Sequence, residues 1–408
     1  MKPYKHTGQA AALAPKRAAA PPRLRDVPHF GTVLAASFAA FAGWSLLLPV
    51  VPMAVARGGG TAVQAGATTT AFMAATVLAQ ILVSTMLRRW GYRVVLVAGC
   101  LLLALPCTLM LLRTPLIWWY GIAVLRGFGF GLLTVATTAL VGRLCPQQVW
   151  GRATGMQGAV IGCATTISLP GGLAVANTTG MGVAVAIGAL LPVLALLGLL
   201  RVPPLRERSP RSDDTIPSHE KGWLLTSSLV MTLTGAAFGC LTTLVPIGIS
   251  AGSYDAELLL LLIGALSMTG RYGAGICVDR WGPGRILVVA LVIGTASLCM
   301  LGFGSHSSTL WLLAAAAAAF GLAYGVVQTE TIVVTYMLAG TSGIALASTY
   351  YNIGVDMGIG IGSLTQGAAV ELVGVPTALA TSGVFTAAAI IPAVMAVRHL
   401  RGRNSSPI

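Results

Sequence analysis

The sequence predicts an all-α, polytopic membrane protein with twelve transmembrane helices in two related halves. Three observations carry this. Of the 408 residues, 56% are hydrophobic and only 9% charged, where a soluble domain carries about 25% charged residues. The apolar residues form twelve continuous runs, each near the roughly 20 residues that cross a bilayer. They lack the two-residue alternation of a membrane β-strand. The chain also repeats itself: Arg89-Trp90-Gly91 returns as Arg280-Trp281-Gly282 at a spacing of 191, and Gly131 and Ala153 return as Gly325 and Ala347 at 194. A repeat near half the chain length marks a duplicated unit.

The runs start near Phe30, Gln64, Val94, Leu116, Ala153, Met181, Trp223, Ala256, Ile286, Leu310, Gly343 and Val375. Residues 1–29, rich in Ala, Pro, Lys and Arg, read as a disordered basic cytoplasmic tail, since the long run that follows does not fit a cleaved leader. The first six runs make a unit at 30–200. Residues 201–222, mixed in charge with Pro and Ser, read as a cytoplasmic linker. The last six make a second unit at 223–398, and 399–408 form a short cytoplasmic tail.

Span 1 carries Phe41 and Trp44, then Pro49 and Pro52, which predict a kink whose freed carbonyls neighbouring helices must satisfy. Span 2 ends in Arg88-Arg89-Trp90-Gly91, a tight turn. Span 4 holds Arg126-Gly127-Phe128-Gly129-Phe130-Gly131, glycines that let another backbone approach beside a costly intramembrane arginine. Span 5 carries Gln157, Gly162 and Pro170-Gly171-Gly172. Span 7 has Phe238 and Thr242, and span 8 has Arg271 near its inner end before Asp279-Arg280-Trp281-Gly282. Span 10 holds Tyr324, Gln328 and Glu330; span 11 holds Tyr351, Asn352 and Asp356. The repeat pairs Gln328 with Thr134, Glu330 with Ala136 and Asp356 with Gly162, so both carboxylates break it and are the better candidates for chemistry.

The net charge of +14 is a topology signal rather than a nucleic-acid footprint. Threading twelve spans with the N-terminus inside leaves 22 of 25 basic residues in cytoplasmic segments or at helix ends facing them, the positive-inside bias. Both termini are therefore expected in the cytoplasm. Arginine outnumbers lysine 21 to 4, which fits a GC-rich bacterial genome and a cell (inner) membrane. The seven cysteines form no CxxC pair and read as apolar packing residues. No HExxH, triad-like set or metal cluster is present, and the five histidines fall in tails or loops. No catalytic residue, metal site or cofactor is expected, and the chain reads as no enzyme.

Gly275-x-x-x-Asp279-Arg280-x-Gly282 resembles the loop motif of the major facilitator superfamily, which recurs between spans 2–3 and 8–9. Arg126 with its glycines resembles that family's span-four motif, and Pro170-Gly171-Gly172 a worn span-five antiporter motif. Gly325 to Gln328 and Tyr351 to Gly360 look like the bacterial drug–proton antiporter branch. The resemblance covers about residues 30–398. It implies two pseudo-symmetric six-helix bundles with a midplane substrate cavity between them, and alternating access by rocking one bundle on the other. In the first loop, Arg88 and Ser84 replace the motif's acid and leading glycine.

The expected proton-coupling residues are Asp356, Glu330 and Arg126. The expected substrate contacts are Phe41, Trp44, Arg126, Phe130, Phe238, Tyr324, Gln328, Tyr351 and Asn352. Arg89, Gly91, Asp279, Arg280 and Gly282 are expected to gate. If all ionise, Arg126, Glu330 and Asp356 sum to −1, which favours a neutral or cationic amphipathic molecule. Proton-coupled efflux of such a compound is the first expectation, and proton-coupled uptake of a small organic acid the alternative. A non-transporting scaffold or receptor is the remote one. The partners are then a small-molecule substrate, protons and the lipid bilayer, with no nucleic acid and a monomeric chain.

Overall fold

The computed structural model describes residues 24–112, 115–145, 150–202, 205, 218–248, 255–339 and 344–405, and every regular element in them is helical. After a 3-10 turn at Leu24–Asp26 come α1 (Phe30–Arg57), α2 (Ala62–Ala104), α3 (Cys107–Met110), α4 (Leu116–Leu144), α5 (Trp150–Thr178) and α6 (Met181–Leu199). The second half holds α7 (Ser218–Gly248), α8 (Asp255–Trp281), α9 (Leu287–His306), α10 (Leu310–Ala339), α11 (Ile344–Thr381), α12 (Gly383–Ala388) and α13 (Ile390–Ser405).

Eleven helical stretches are long and apolar enough to cross a membrane. One of them, Ala62–Met110, has 49 residues, about 74 Å at 1.5 Å per residue, more than twice a hydrocarbon core of about 30 Å. Its chain breaks at Gly91, where φ is 82° and ψ 168°, so it makes two crossings and the total is twelve. Gly374 (φ 77°) breaks α11 in the same way, and the twelfth crossing continues from there through α12 and α13. The Arg-Trp-Gly repeat is thus a repeat of backbone geometry. Gly91 and Gly282 turn at φ 82° and 83°, a region that a Cβ makes costly.

Several boundaries differ from expectation. Val27 is buried against the first-half core, ahead of the boundary at Phe30. α7 begins at Ser218 inside the expected linker, and α13 runs to Ser405, stacking His399 on Trp223 with ring centroids 4.0 Å apart. α1 stays helical through both prolines. Residues 1–23 and most of 203–217 lie outside the described residues.

Each half packs by the same close contacts. A Cβ on Gly131 of α4 would strike the Thr76 carbonyl of α2; one on Gly325 of α10 would strike Ser267 of α8, displaced by 194 and 191 residues. Gly172 against Leu46 (α5 on α1) and Gly362 against Ala236 (α11 on α7) repeat at 190. That spacing corrects the pairing of Asp356: its packing counterpart is Thr166, one helical turn from Gly162. The register slips by a turn between the fourth and fifth spans of each half. The counterpart is still uncharged.

We call the end with Gly91 and Gly282 the motif end and the opposite end the far end. From the far end inward, the halves are joined along α2–α11 and α5–α8. Glu371 Oε1 accepts from the Val63 backbone N–H at 3.1 Å. Asn177 accepts from Arg57 at 2.7 Å and donates to Glu257 at 2.6 Å. Thr70 Oγ1 donates to the Gly360 carbonyl at 2.6 Å, and Gly66 lies against the Ser363 backbone. Nearer the motif end, Gly158 of α5 and Arg271 and Tyr272 of α8 are exposed. Among the described residues, the halves are in direct contact at the far end.

Candidate functional site

Asp356 sits where that contact ends. It lies twelve residues into α11, about 18 Å along it, and is 7% exposed. Gln80 of α2 donates from Nε2 to Asp356 Oδ2 at 2.6 Å, a bond across the halves. The same nitrogen lies 3.3 Å from Thr134 Oγ1 of α4. Gln80 escaped the sequence reading, although a lone amide in the apolar run Val-Leu-Ala-Gln-Ile-Leu was its signal.

The second half carries the mirror of this pair. Arg271 and Gln328 stand 191 and 194 residues after Gln80 and Thr134, and Arg271 Nε donates to Gln328 Oε1 at 2.6 Å. Gln328 also bonds the Tyr324 side chain. Tyr324 stacks on Phe238 at 4.8 Å and 4° and on Phe320 at 5.8 Å. Arg271, Tyr351 and Asp356 are electrostatic neighbours of this group. Arg271 is exposed yet ringed by these interior groups, ten residues short of the end of α8 at Trp281. A guanidinium at that depth requires water or a partner. Asn352, half-buried on α11, donates to its own helix at Ser348 O, 2.8 Å away.

Phe41, Trp44 and Phe130 form one aromatic cluster with Phe72. Trp44 stacks on Phe130 at 4.3 Å, and Phe41 and Phe72 lie 5.2 and 5.7 Å from it. Arg126, 3% exposed, reaches the Leu103 carbonyl through Nε at 3.4 Å and lies 5.6 Å over the Phe72 ring.

Glu330 lies elsewhere. It is fully buried, with Oε2 accepting from Gly284 N–H and Oε1 from Ile286 N–H at 3.5 Å. It holds the turn before α9 instead of facing Asp356. Of the loop residues, Arg89 is exposed, and Arg280 lies 5.9 Å over the Trp281 ring. Gly91 and Gly282 supply the two turns; the Asp279 side chain lies outside the described residues. No group of three or more metal-ligating side chains occurs among the described residues.

Two halves of six crossings, related by a repeat and meeting around buried polar groups, define a transporter rather than an enzyme. The model of the Major Facilitator Superfamily matches residues 33–354, and the chain belongs to that family. Among solved structures it is similar to the nucleoside transporter NupG, with a TM-score of 0.69, 12% identity and coverage of 91% of this chain and 98% of that one. A point variant of NupG matches at 0.70 and 13%, covering 90% and 99%. At these identities the likeness is one of fold.

Proposed function

We propose that this chain is a proton-coupled secondary transporter of small amphipathic molecules in which Asp356 carries the proton. The observation that supports this is the Gln80–Asp356 bond. It places an intramembrane carboxylate on the line where the halves separate, tied to the opposite half. Charge inside a membrane span costs several kcal/mol unless paired or hydrated. Protonation of Asp356 relieves that cost, and a charge-assisted bond exchanged for a neutral one is weaker. Proton occupancy thereby biases the contact between halves, as alternating access requires. The resemblance of Gly325 to Gln328 and of Tyr351 to Gly360 to the drug–proton antiporter branch agrees with this reading.

Glu330 is the weaker coupling candidate, because backbone donors already engage its carboxylate. This changes the charge sum behind the expectation of a cationic substrate. With Glu330 withdrawn and Arg271 brought beside Tyr324 and Tyr351, the sum over Arg126, Arg271 and Asp356 becomes +1 if all ionise. That balance supports the second reading, proton-coupled uptake of a small organic acid, against efflux of a cation.

The test is transport by purified protein in proteoliposomes with a pH-sensitive dye inside. Asp356→Asn is expected to abolish substrate-driven proton movement while substrate binding survives. Intact coupling in a folded Asp356→Asn protein overturns the assignment. The direction of proton flow relative to substrate separates antiport from symport.

A further inference from the structure

We propose that Arg271 of α8, positioned by Gln328, binds the carboxylate of the substrate at the mouth of the α5–α8 interface, a role that deepens the organic-acid reading above and rests on it. Gln80 of α2 and Asp356 of α11 bond across the halves at 2.6 Å. The twin of that interface joins α8 to α5, and there Arg271 stands where Gln80 stands, 191 residues on. Opposite it, the twin of Asp356 is Thr166, 190 residues back, with Gly162 one turn away. The first interface supplies its own acid. The second presents a charged donor to a helix that brings none, and a guanidinium at this depth is costly without a counter-charge or water.

Arg271 is engaged at one atom only. Its Nε donates to Gln328 Oε1 at 2.6 Å, and Gln328, 6% exposed, is bonded in turn to Tyr324. Tyr324 is clamped by its stacks on Phe238 and Phe320. Among the described residues nothing accepts from Arg271 Nη1 or Nη2, and no carboxylate pairs with it. Asp356 acts on the same tyrosines but is bonded to Gln80. The remaining Nη1 and Nη2 match the two oxygens of one carboxylate. There is room in front of them. Met268, one turn before Arg271, closes on Gly162 at 3.6 Å. One turn nearer the motif end, Gly158 of α5 and Gly275 of α8 have no neighbour within 4 Å of where a Cβ would lie, and Gly158 and Arg271 are exposed. Phe238, half-buried, packs against the cores of both halves. A carboxylate on Arg271 therefore carries its apolar body toward an aromatic face between the bundles.

The experiment is calorimetric titration of the purified full-length protein in detergent with benzoate, its neutral isostere benzamide, and inorganic phosphate. Wild type is expected to bind benzoate about tenfold or more tightly than either of the others. Arg271→Gln is expected to weaken benzoate about tenfold, the size of a lost hydrogen bond to a charged group, and to leave benzamide unchanged. Arg271→Lys keeps the charge without the paired geometry and should fall between. Gln328→Leu is expected to shrink the preference for benzoate over benzamide, which a general loosening of the fold would not do. Gly162→Asp places an internal carboxylate beside Met268, one turn from Arg271, and is expected to exclude benzoate as effectively as Arg271→Gln. Asp356→Asn is expected to bind benzoate at least as tightly as wild type, so failure of the proton assignment is separable from failure of this one. Binding that depends on Arg271 supports the site even without benzoate uptake into proteoliposomes, an outcome that would set aside the uptake reading alone. Benzamide or phosphate binding as tight as that of benzoate overturns the proposal. So does unchanged benzoate affinity in an Arg271→Gln protein with a wild-type melting temperature or, where that protein does not fold, in Gly162→Asp.

Discussion

Gln80 has one atom engaged and one bare: Nε2 serves Asp356 and Thr134, while Oε1 is buried without a partner. An amide so placed can accept from a protonated acid or donate to an ionised one by turning over, which suits a partner that gains and loses a proton. We expect Gln80→Leu to slow transport about tenfold, a loss typical of a bond to a charged group. In a double-mutant cycle, Gln80→Leu combined with Asp356→Asn should be no worse than Asp356→Asn alone, because the two single changes remove one interaction. Transport rates that multiply instead would show the residues acting separately. At this scale the sequence marked Asp356, Arg126 and Gln328 because charge or amide interrupts an apolar run. Gln80 interrupts one too, but its importance lies in a contact 276 residues away, which no local pattern encodes. Glu330 shows the converse. A carboxylate in a span looks functional by default, and only the fold reveals that backbone N–H groups claim it.

That carboxylate matters to an element. The first N–H groups of a helix have no partner within it, and Glu330 of α10 reaches the Gly284 and Ile286 N–H groups just ahead of α9. α10 thereby fixes the entry of α9 into the membrane. Glu330→Ala is expected to lower the melting temperature of the purified protein, since it strands buried donors worth about 1–3 kcal/mol. Proton-to-substrate stoichiometry should stay as in wild type in the protein that remains folded. A normal melting temperature with lost coupling would return Glu330 to the coupling site. The elements themselves were legible as apolar runs, and the Arg-Trp-Gly turns as glycine repeats. The break at Gly374 falls one residue before Val375, where the twelfth run starts. The extension of α13 to Ser405 was less legible, because it depends on His399 finding Trp223.

For the whole molecule, the duplicated pattern conveyed the architecture because packing reuses it: Gly131 on Thr76 and Gly325 on Ser267 are one contact made twice. What duplication cannot convey is how the halves meet, since that interface joins unlike partners. Its described contacts run from Glu371–Val63 at the far end to Gln80–Asp356. Transport by rocking requires the far-end portion to part in each cycle. Thr166 of α5 and Gly264 of α8 allow this to be tested directly. A Cβ on Gly264 would lie 3.1 Å from Thr166 Cα and 3.2 Å from its Oγ1, near enough for a disulfide between cysteines at the two positions. The pair belongs in a background without native cysteines, because Cys163 is exposed on the same helix. Oxidation of Thr166→Cys/Gly264→Cys is expected to bring transport in proteoliposomes below about a tenth of the reduced rate, and reductant to restore it. The disulfide removes only separation at this level, so substrate that reaches the site from the motif end should still bind. Full transport by a completely cross-linked protein would mean that α5 and α8 stay together throughout the cycle, and the moving boundary would have to lie elsewhere in the bundle.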